Sequence, residues 1–274
     1  MAVILLCDNG SVRPNATLQL RQLAEKLTDK ARQTVHAVSF KHADHIAADQ
    51  LDGKPAQLFR DFMTQQLAAG QRDFILLPLF FGNSKALTSF VPDEVSLLEE
   101  KFGAFKLVIA EVIYPLPEGE ALLAEIIFSH IQDTADKYQL PLRNIVLTDH
   151  GSPIPRVTEV RKHLAQRVQE KLPRDVLLEQ AVMERREGKE YDFNGDLLKD
   201  WLTRKAESGE TSAIVTLLFF LPGKHAGSGG DIVDICDEVM DQYPGFKVGI
   251  SPLISEHERF IDILEKRLQE VIQR

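Results

Sequence analysis

At 274 residues, with 44% apolar and 27% charged side chains, the chain has the length and composition of two ordinary globular domains. Its 41 acidic and 32 basic residues leave a net charge of −9, which argues against an electrostatic nucleic-acid binder, because counterion release needs a basic face. No apolar run approaches the roughly 20 residues of a transmembrane helix, Met1 leads into a strand-like run without a basic leader, and Cys7 and Cys236 make no disulfide framework; a cytoplasmic protein with no membrane partner is expected.

In chain order, β-branched runs predict strands at 2–7, 34–40, 73–80 and 105–112, with amphipathic helices near 16–30, 55–70, 89–102 and 119–138. The pattern then repeats, with strands near 144–148, 175–182, 212–219 and 246–251 and helices near 157–172, 194–208, 230–242 and 256–273. Alternating strands and helices of these lengths specify an α/β fold built from βαβ units, with a mainly parallel sheet flanked by helices in each half. Leu140-Pro141 interrupts the helical pattern after Tyr138, so the expected domains are 1–140 and 141–274, with the boundary near 139–143.

The halves are copies of one another. Asp8-Asn9-Gly10-Ser11 follows Val3–Leu6, and Asp149-His150-Gly151-Ser152 follows Ile145–Leu147, 141 positions later. Pro14, Thr17 and Leu23-Ala24 recur as Pro155, Thr158 and Leu164-Ala165. Leu79-Phe80-Phe81 recurs as Leu218-Phe219-Phe220, and Tyr114-Pro115-Leu116 is aligned with Ser251-Pro252-Leu253. The informative difference is His150 where the first copy has Asn9.

In parallel sheets ligands bind beyond the carboxyl ends of the strands. His150 stands at such an end, with Gly151 permitting a tight turn and Ser152 placed to cap the next helix. His225 follows another strand, inside the Gly-rich segment Leu221–Gly230. Two neutral imidazoles from adjacent strand ends suit Fe, Co, Ni or Zn. Glu184, after the strand-like Leu177–Met183, either completes a metal site or accepts protons, or else opens a solvated charged loop with Arg185-Arg186-Glu187. The loop 223–230 lacks the order of a phosphate loop, and neither Ser11 nor Ser152 lies in a nucleophile elbow. His257 is expected at the surface.

These residues resemble the class II tetrapyrrole chelatases, the sirohydrochlorin cobalto-/ferrochelatase family of CbiX type. The family pattern is a strand ending in His-Gly-Ser, a strand ending in Phe-Leu-Glu, and a strand followed by Phe-x-x-Gly-x-His. Here it reads His150-Gly151-Ser152, Val182-Met183-Glu184 and Phe220-Leu221-Pro222-Gly223-Lys224-His225. The resemblance implies two chelatase-like domains with a cleft between them. It makes His150, His225 and Glu184 the catalytic, metal-binding set, and Co²⁺, Fe²⁺ or Ni²⁺ a substrate, with no organic cofactor. Ser152, Arg156, Arg185, Lys189, Lys224 and Lys41 become candidates for holding the carboxylates of a tetrapyrrole, joined by Arg186 near Glu184 and by Lys85 of the first half. In the first half Asn9, Lys41 and Ser84 stand at the three ligand positions, so residues 1–138 are expected not to ligate metal. Duplication within one chain makes a monomer plausible. The alternative reading of the same ligands is a carrier that holds metal or tetrapyrrole without turnover.

Overall fold

The computed structural model describes residues 2–273. The first repeat runs β1 (Val3–Asp8), α1 (Pro14–Ala31), β2 (Val35–Ser39), α2 (Phe59–Ala68), β3 (Asp73–Pro78), α3 (Val91–Phe102), β4 (Lys106–Ile109) and α4 (Ala121–Tyr138). The second runs β5 (Ile145–Asp149), α5 (Pro155–Gln169), β6 (Leu178–Val182), β7 (Asp196–Leu197), α6 (Leu198–Glu207), β8 (Ser212–Leu217), α7 (Asp231–Gln242), β9 (Lys247–Ile250) and α8 (Phe260–Ile272). Short 3₁₀ turns at 43–45, 48–51, 189–194 and 254–256 and a π turn at 86–90 fill connections with no helical or strand period in the sequence.

Both sheets are parallel, with strand orders β2-β1-β3-β4 and β7-β6-β5-β8-β9. Continuous apolar runs make this possible: Leu5, Leu6 and Cys7 of β1 and Ile145–Leu147 of β5 are fully buried, as strands covered on both faces must be. Helix α1 opens with Pro14 and α5 with Pro155, where the missing N–H costs nothing. Burying Leu20, Leu23 and Leu27 along one stripe of α1 contributes about 1.5–3 kcal/mol per side chain. Several expected strands run past the observed ends because apolar residues continue beyond them. Leu79 and Leu218 remain buried after β3 and β8, their amides still bonded to Cys7 and Thr148 carbonyls.

Compact units and sequence repeats do not share a boundary. Residues 1–115 with 261–274 form one unit and residues 116–260 the other. Residues 139–143 therefore lie inside the second unit, because the last helix of each repeat leaves its own sheet. Thr134 and Tyr138 of α4, with Leu140, pack on Gly249 of β9, leaving no room for a side chain there. Conversely, Arg267 of α8 donates to the carbonyls of Val112 and Ile113 in the first unit.

Backbone hydrogen bonds test the repeat residue by residue. The Ile113 and Tyr114 amides bond Phe80 and Phe81 carbonyls, as Ile254 and Ser255 bond Phe219 and Phe220. This supports matching 79–81 with 218–220. It overturns the alignment of Tyr114-Pro115-Leu116 with Ser251-Pro252-Leu253: Ser251 bonds Val215 as Ala110 bonds Leu76, so Tyr114 matches Ser255. The shared proline misled the sequence comparison.

Asp8, at the end of β1, is buried with the Ser39 hydroxyl donating to it at 2.7 Å. Burial pushes its carboxyl from the ordinary 3.8 up to about 6. Because the folded value lies above the unfolded one, the cost of ionising Asp8 is absent below 3.8 and complete above about 6. Asp8→Asn is expected to stabilise the protein by up to about 3 kcal/mol at pH 8. The gain should shrink as pH falls through 6 and vanish below 4, which urea denaturation across that range would measure.

Candidate functional site

Strand β5 is the pivot of the second sheet. It pairs with β6 on one side and β8 on the other, all parallel, so the segments leaving their three carboxyl ends meet. These segments carry His150, Glu184 and His225. The loops depart to opposite sides of β5, which opens the space that parallel sheets use for ligands.

The turn at 149–152 is tied from several sides. The Met183 and Glu184 amides bond the carbonyls of Asp149 and His150 at 2.8 and 3.1 Å. Gly151 has φ +91°, and a Cβ there would sit 2.0 Å from the Glu184 carbonyl oxygen, so only glycine fits. The Asp149 carboxylate accepts from the Gly151 amide at 3.0 Å and from Arg161 Nη1 at 2.5 Å. Arg161, 1% exposed, also donates to Gln180 Oε1 and to the Asn194 carbonyl. Asn194, equally buried, accepts from the Ser152 amide and Thr158 hydroxyl and donates to the Ser152 carbonyl. Burial pushes Asp149 up, while the charge and hydrogen bond of Arg161 pull it down.

The candidate ligands meet in pairs. His150 Nε2 lies 3.2 Å from Glu184 Oε1, and the His150 and His225 rings sit edge to face with centroids 4.5 Å apart. His150 Nδ1 is 3.0 Å from the Gly151 carbonyl, which can only accept, so the proton belongs on Nδ1. His225 Nδ1 lies 2.7 Å from Asp231 Oδ2, which holds its proton in the same way. In the neutral tautomer so held, Nε2 of each ring carries the lone pair. This is the arrangement that outer partners impose on metal-binding histidines. Among the described residues, no three His, Cys, Asp or Glu side chains already form a closed metal-holding cluster.

The remaining candidates separate. Ser152 does not cap α5: Ile154 is the cap residue, and Ser152 Oγ accepts its amide at 3.0 Å within the turn. Arg156, in the first turn of α5, and Lys224, which precedes His225 in the chain, are both exposed. Arg185, Arg186 and Lys189 line a pocket of about 440 Å³ directly after Glu184. Lys41 lies in the other unit, its ammonium 4.6 Å from the centre of the Phe90 ring. His257 Nδ1 accepts the Arg259 amide, and its ring packs against the buried His130, which burial above all pushes down to about 4. Both cysteines are buried, and burial pushes Cys236 up to about 12.

Asp149, Arg161, Asn194 and Asp231 were not singled out from the sequence. One signal existed: Arg161 occupies the place of the buried Leu20 in the first repeat, and a charge in a core position demands a partner. Asn194 and Asp231 carried no such mark.

The first repeat has the same backbone at this place. Gly10 has φ +85° and abuts the Lys41 carbonyl, Lys41 N bonds the Asn9 carbonyl, and Ser11 Oγ accepts the Arg13 amide. Asn9 thus matches His150 and Lys41 matches Glu184.

Comparison with known proteins follows this geometry. The CbiX family model matches residues 144–271. Among solved structures, SirB from Bacillus subtilis with Fe³⁺ is 15% identical, with a TM-score of 0.68 over 98% of this chain and 95% of that one. SirB from Bacillus subtilis subspecies spizizenii in complex with cobalt is 13% identical, with a TM-score of 0.68 over 100% and 96%. CbiX, described as the terminal enzyme of sirohaem biosynthesis in denitrifying bacteria, is 15% identical, with a TM-score of 0.62 over 98% and 99%. At such identities the likeness establishes the fold. No curated protein matches by sequence.

The buried network yields a stability prediction. Arg161→Leu, the residue of the first repeat, should cost about 3–5 kcal/mol because it strands the Asp149 carboxylate. Chemical denaturation at pH 7 would measure it, and a loss below about 1 kcal/mol would show that Arg161 does not hold this turn.

Proposed function

We propose that the chain, whose residues 144–271 match the CbiX family model, is a chelatase that inserts Co²⁺ or Fe²⁺ into a sirohydrochlorin-like tetrapyrrole, with His150, His225 and Glu184 handling the metal. The observation that carries this reading is the pair His150 Nε2 and Glu184 Oε1. With Nδ1 donating to the Gly151 carbonyl, Nε2 faces the carboxylate at 3.2 Å, a contact that either a proton on Nε2 or a metal cation held between the two atoms would satisfy. A metal about 2.1 Å from each atom would bridge that gap at an angle of roughly 100°, within the range of tetrahedral and octahedral sites. His225 supplies a second imidazole with its Nε2 lone pair free.

The metal is a substrate here, so it must arrive and leave, and the three side chains are suited to that. Glu184 is 63% exposed at its side chain and His150 43%, open enough for a hydrated ion to exchange waters for ligands. Insertion also releases two pyrrole N–H protons. Glu184, 3.2 Å from His150 Nε2, can take one of these protons and the freed His150 imidazole the other once the metal has passed to the macrocycle, both then returning to solvent. Asp231, 2.7 Å from His225 Nδ1, would keep that imidazole in the ligating tautomer. The similar SirB structures hold Fe³⁺ in one case and cobalt in the other, metals that imidazole and carboxylate ligands accept. In the first repeat Asn9 and Lys41 offer a weak neutral oxygen and an ammonium, and no metal role is assigned to them.

The test is anaerobic incubation with sirohydrochlorin and Co²⁺ or Fe²⁺, following the macrocycle absorbance. Wild type and Asn9→Ala should turn over repeatedly, whereas His150→Ala and His225→Ala should be inactive yet folded. A stoichiometric spectral change without turnover would make the protein a carrier. Equal rates in all variants would remove the site assignment. Asp231→Asn should weaken Co²⁺ binding by about 10–100-fold, as loss of an outer carboxylate does at other histidine sites, and titration calorimetry would read it.

A further inference from the structure

We infer that the slot along the free edge of β2 is a binding site for an uncharged, planar amino-heterocycle of the kind that a purine base represents. The slot lies within the first unit, shares no residue with the set His150, Glu184 and His225, and does not rest on the insertion reading.

An edge strand shows its outward N–H and C=O groups to whatever lies beside it. Strand β2 is such an edge, and its hydrogen bonds tell which residues face out. The Phe40 amide bonds Asp8 at the end of β1, whereas the Ser39 amide bonds the Gln57 carbonyl on the other side. Directions alternate along a strand, so Val35, Ala37 and Ser39 face outward. Thr28 Oγ1 takes the Val35 amide at 2.9 Å, and the 57–58 segment takes Ser39. The Val35 carbonyl, the Ala37 amide and the Ala37 carbonyl have no partner among the described residues. This free run is stopped at both ends, which suits a compact ligand rather than an added peptide strand. It reads acceptor, donor, acceptor, and a ring edge reading donor, acceptor, donor would match it.

The walls fit an uncharged ring. The slot is about 590 Å³, a size that small ligands fill. Ala24 of α1 and Phe62 of α2 line it, and residues 53–58 complete the wall. Arg21 fixes that segment by donating to the Lys54 and Pro55 carbonyls at 2.7 and 3.0 Å. The His36 ring packs on Phe62 with centroids 5.0 Å apart, which gives the slot an aromatic surface. Burial pushes the His36 imidazole below its ordinary 6.5 and so keeps it neutral at pH 7. Two basic side chains in the lining, Arg21 and Lys54, are balanced by two acidic ones, Glu25 and Asp61. An ionic ligand gains nothing from such a lining.

The second repeat shows the same edge closed. The bridges Ser39–Leu58 and Val182–Leu197 match α2 with α6, and so Phe62 with Trp201. There Lys205 of α6 pairs with Glu179 of β6 at 2.5 Å, its ammonium 5.1 Å from the centre of the Trp201 ring. Arg204 pairs with Asp196, and the Gln169 carboxamide bonds the Val176 carbonyl and the Leu178 amide, both at 2.8 Å. The first repeat has none of these latches. Gln66 and His36 stand for the first pair, Gln65 and Gln57 for the second, and Thr28 for Gln169. A closed edge is therefore compatible with this fold, and its openness in the first repeat needs another reason. The side chains of Gln57 and Gln65 make no hydrogen bond among the described residues and can each donate or accept to a ligand. Gln169 also shows what such an edge takes: a planar group with a donor and an acceptor side by side.

Titration calorimetry on the full chain would compare 2,6-diaminopurine, whose edge reads donor, acceptor, donor, with unsubstituted purine, which lacks both amino donors. The diaminopurine should bind at a single site, and purine roughly tenfold more weakly for the hydrogen bonds it cannot make. Transplanting the latches with His36→Glu, Gln57→Asp, Gln65→Arg and Gln66→Lys should leave the chain folded by circular dichroism and weaken diaminopurine binding by roughly tenfold or more. Co²⁺ binding should be the same with and without the latches. Ala37→Pro removes only the outward amide, a change that edge strands tolerate, and should weaken binding similarly; it decides the matter if the latched chain does not fold. Equal affinity for the two purines, undiminished binding by either folded variant, or no binding of diaminopurine at millimolar concentration would overturn the site.

Discussion

The parallel pairing of β5 with both β6 and β8 is the constraint on which the second unit depends. Parallel strands end on the same side, so whatever follows the three strands must share one rim. Residues far apart in the chain, 150, 184 and 225, then come within contact of one another without any local signal linking them. The same pairing explains the choice of glycine at 151. The β5 turn and the β6 end approach so closely that a Cβ would overlap a carbonyl oxygen.

A second layer holds that rim still. Asp149, Arg161 and Asn194 form a buried polar network beneath His150, each member bonded to at least two others or to the turn itself. Such a network is costly unless complete, because an unpaired buried charge loses several kcal/mol. It is complete here, and its product is a fixed backbone at 149–152. The imidazoles above it are aligned by single bonds to Gly151 and Asp231. Orientation comes from below and from the side, through Nδ1 of each ring.

The two repeats show how one backbone serves two purposes. Their turns have the same positive-φ glycine, the same strand-end hydrogen bonds and the same serine contact. What differs is side-chain chemistry at a few positions: Leu20 for Arg161, Asn9 for His150 and Lys41 for Glu184. Without the arginine, the buried Asp8 relies on the Ser39 hydroxyl and is pushed up to about 6. The loops after Lys41 and Glu184 diverge most, one packed on apolar residues and the other lined with charge.

The sequence alone determined the elements and their order, because buried parallel strands and amphipathic helices leave distinct periodicities. It also singled out His150, visible against Asn9 in the duplicate, and His225, set apart in a glycine-rich loop, and the structure brings these two rings to 4.5 Å. It did not determine the partners of those residues. Asp231 and Asn194 act through contacts whose geometry depends on loop conformation, and sequence spacing does not encode that. Nor did it determine the exchange of terminal helices, because a helix's apolar stripe says that it must be buried and not against which sheet. Only the tertiary structure decided that α4 packs on the second sheet and that Arg267 of α8 closes on the first. Periodicity is a local property of the chain, whereas the choice among equally apolar faces is made by connection length and packing.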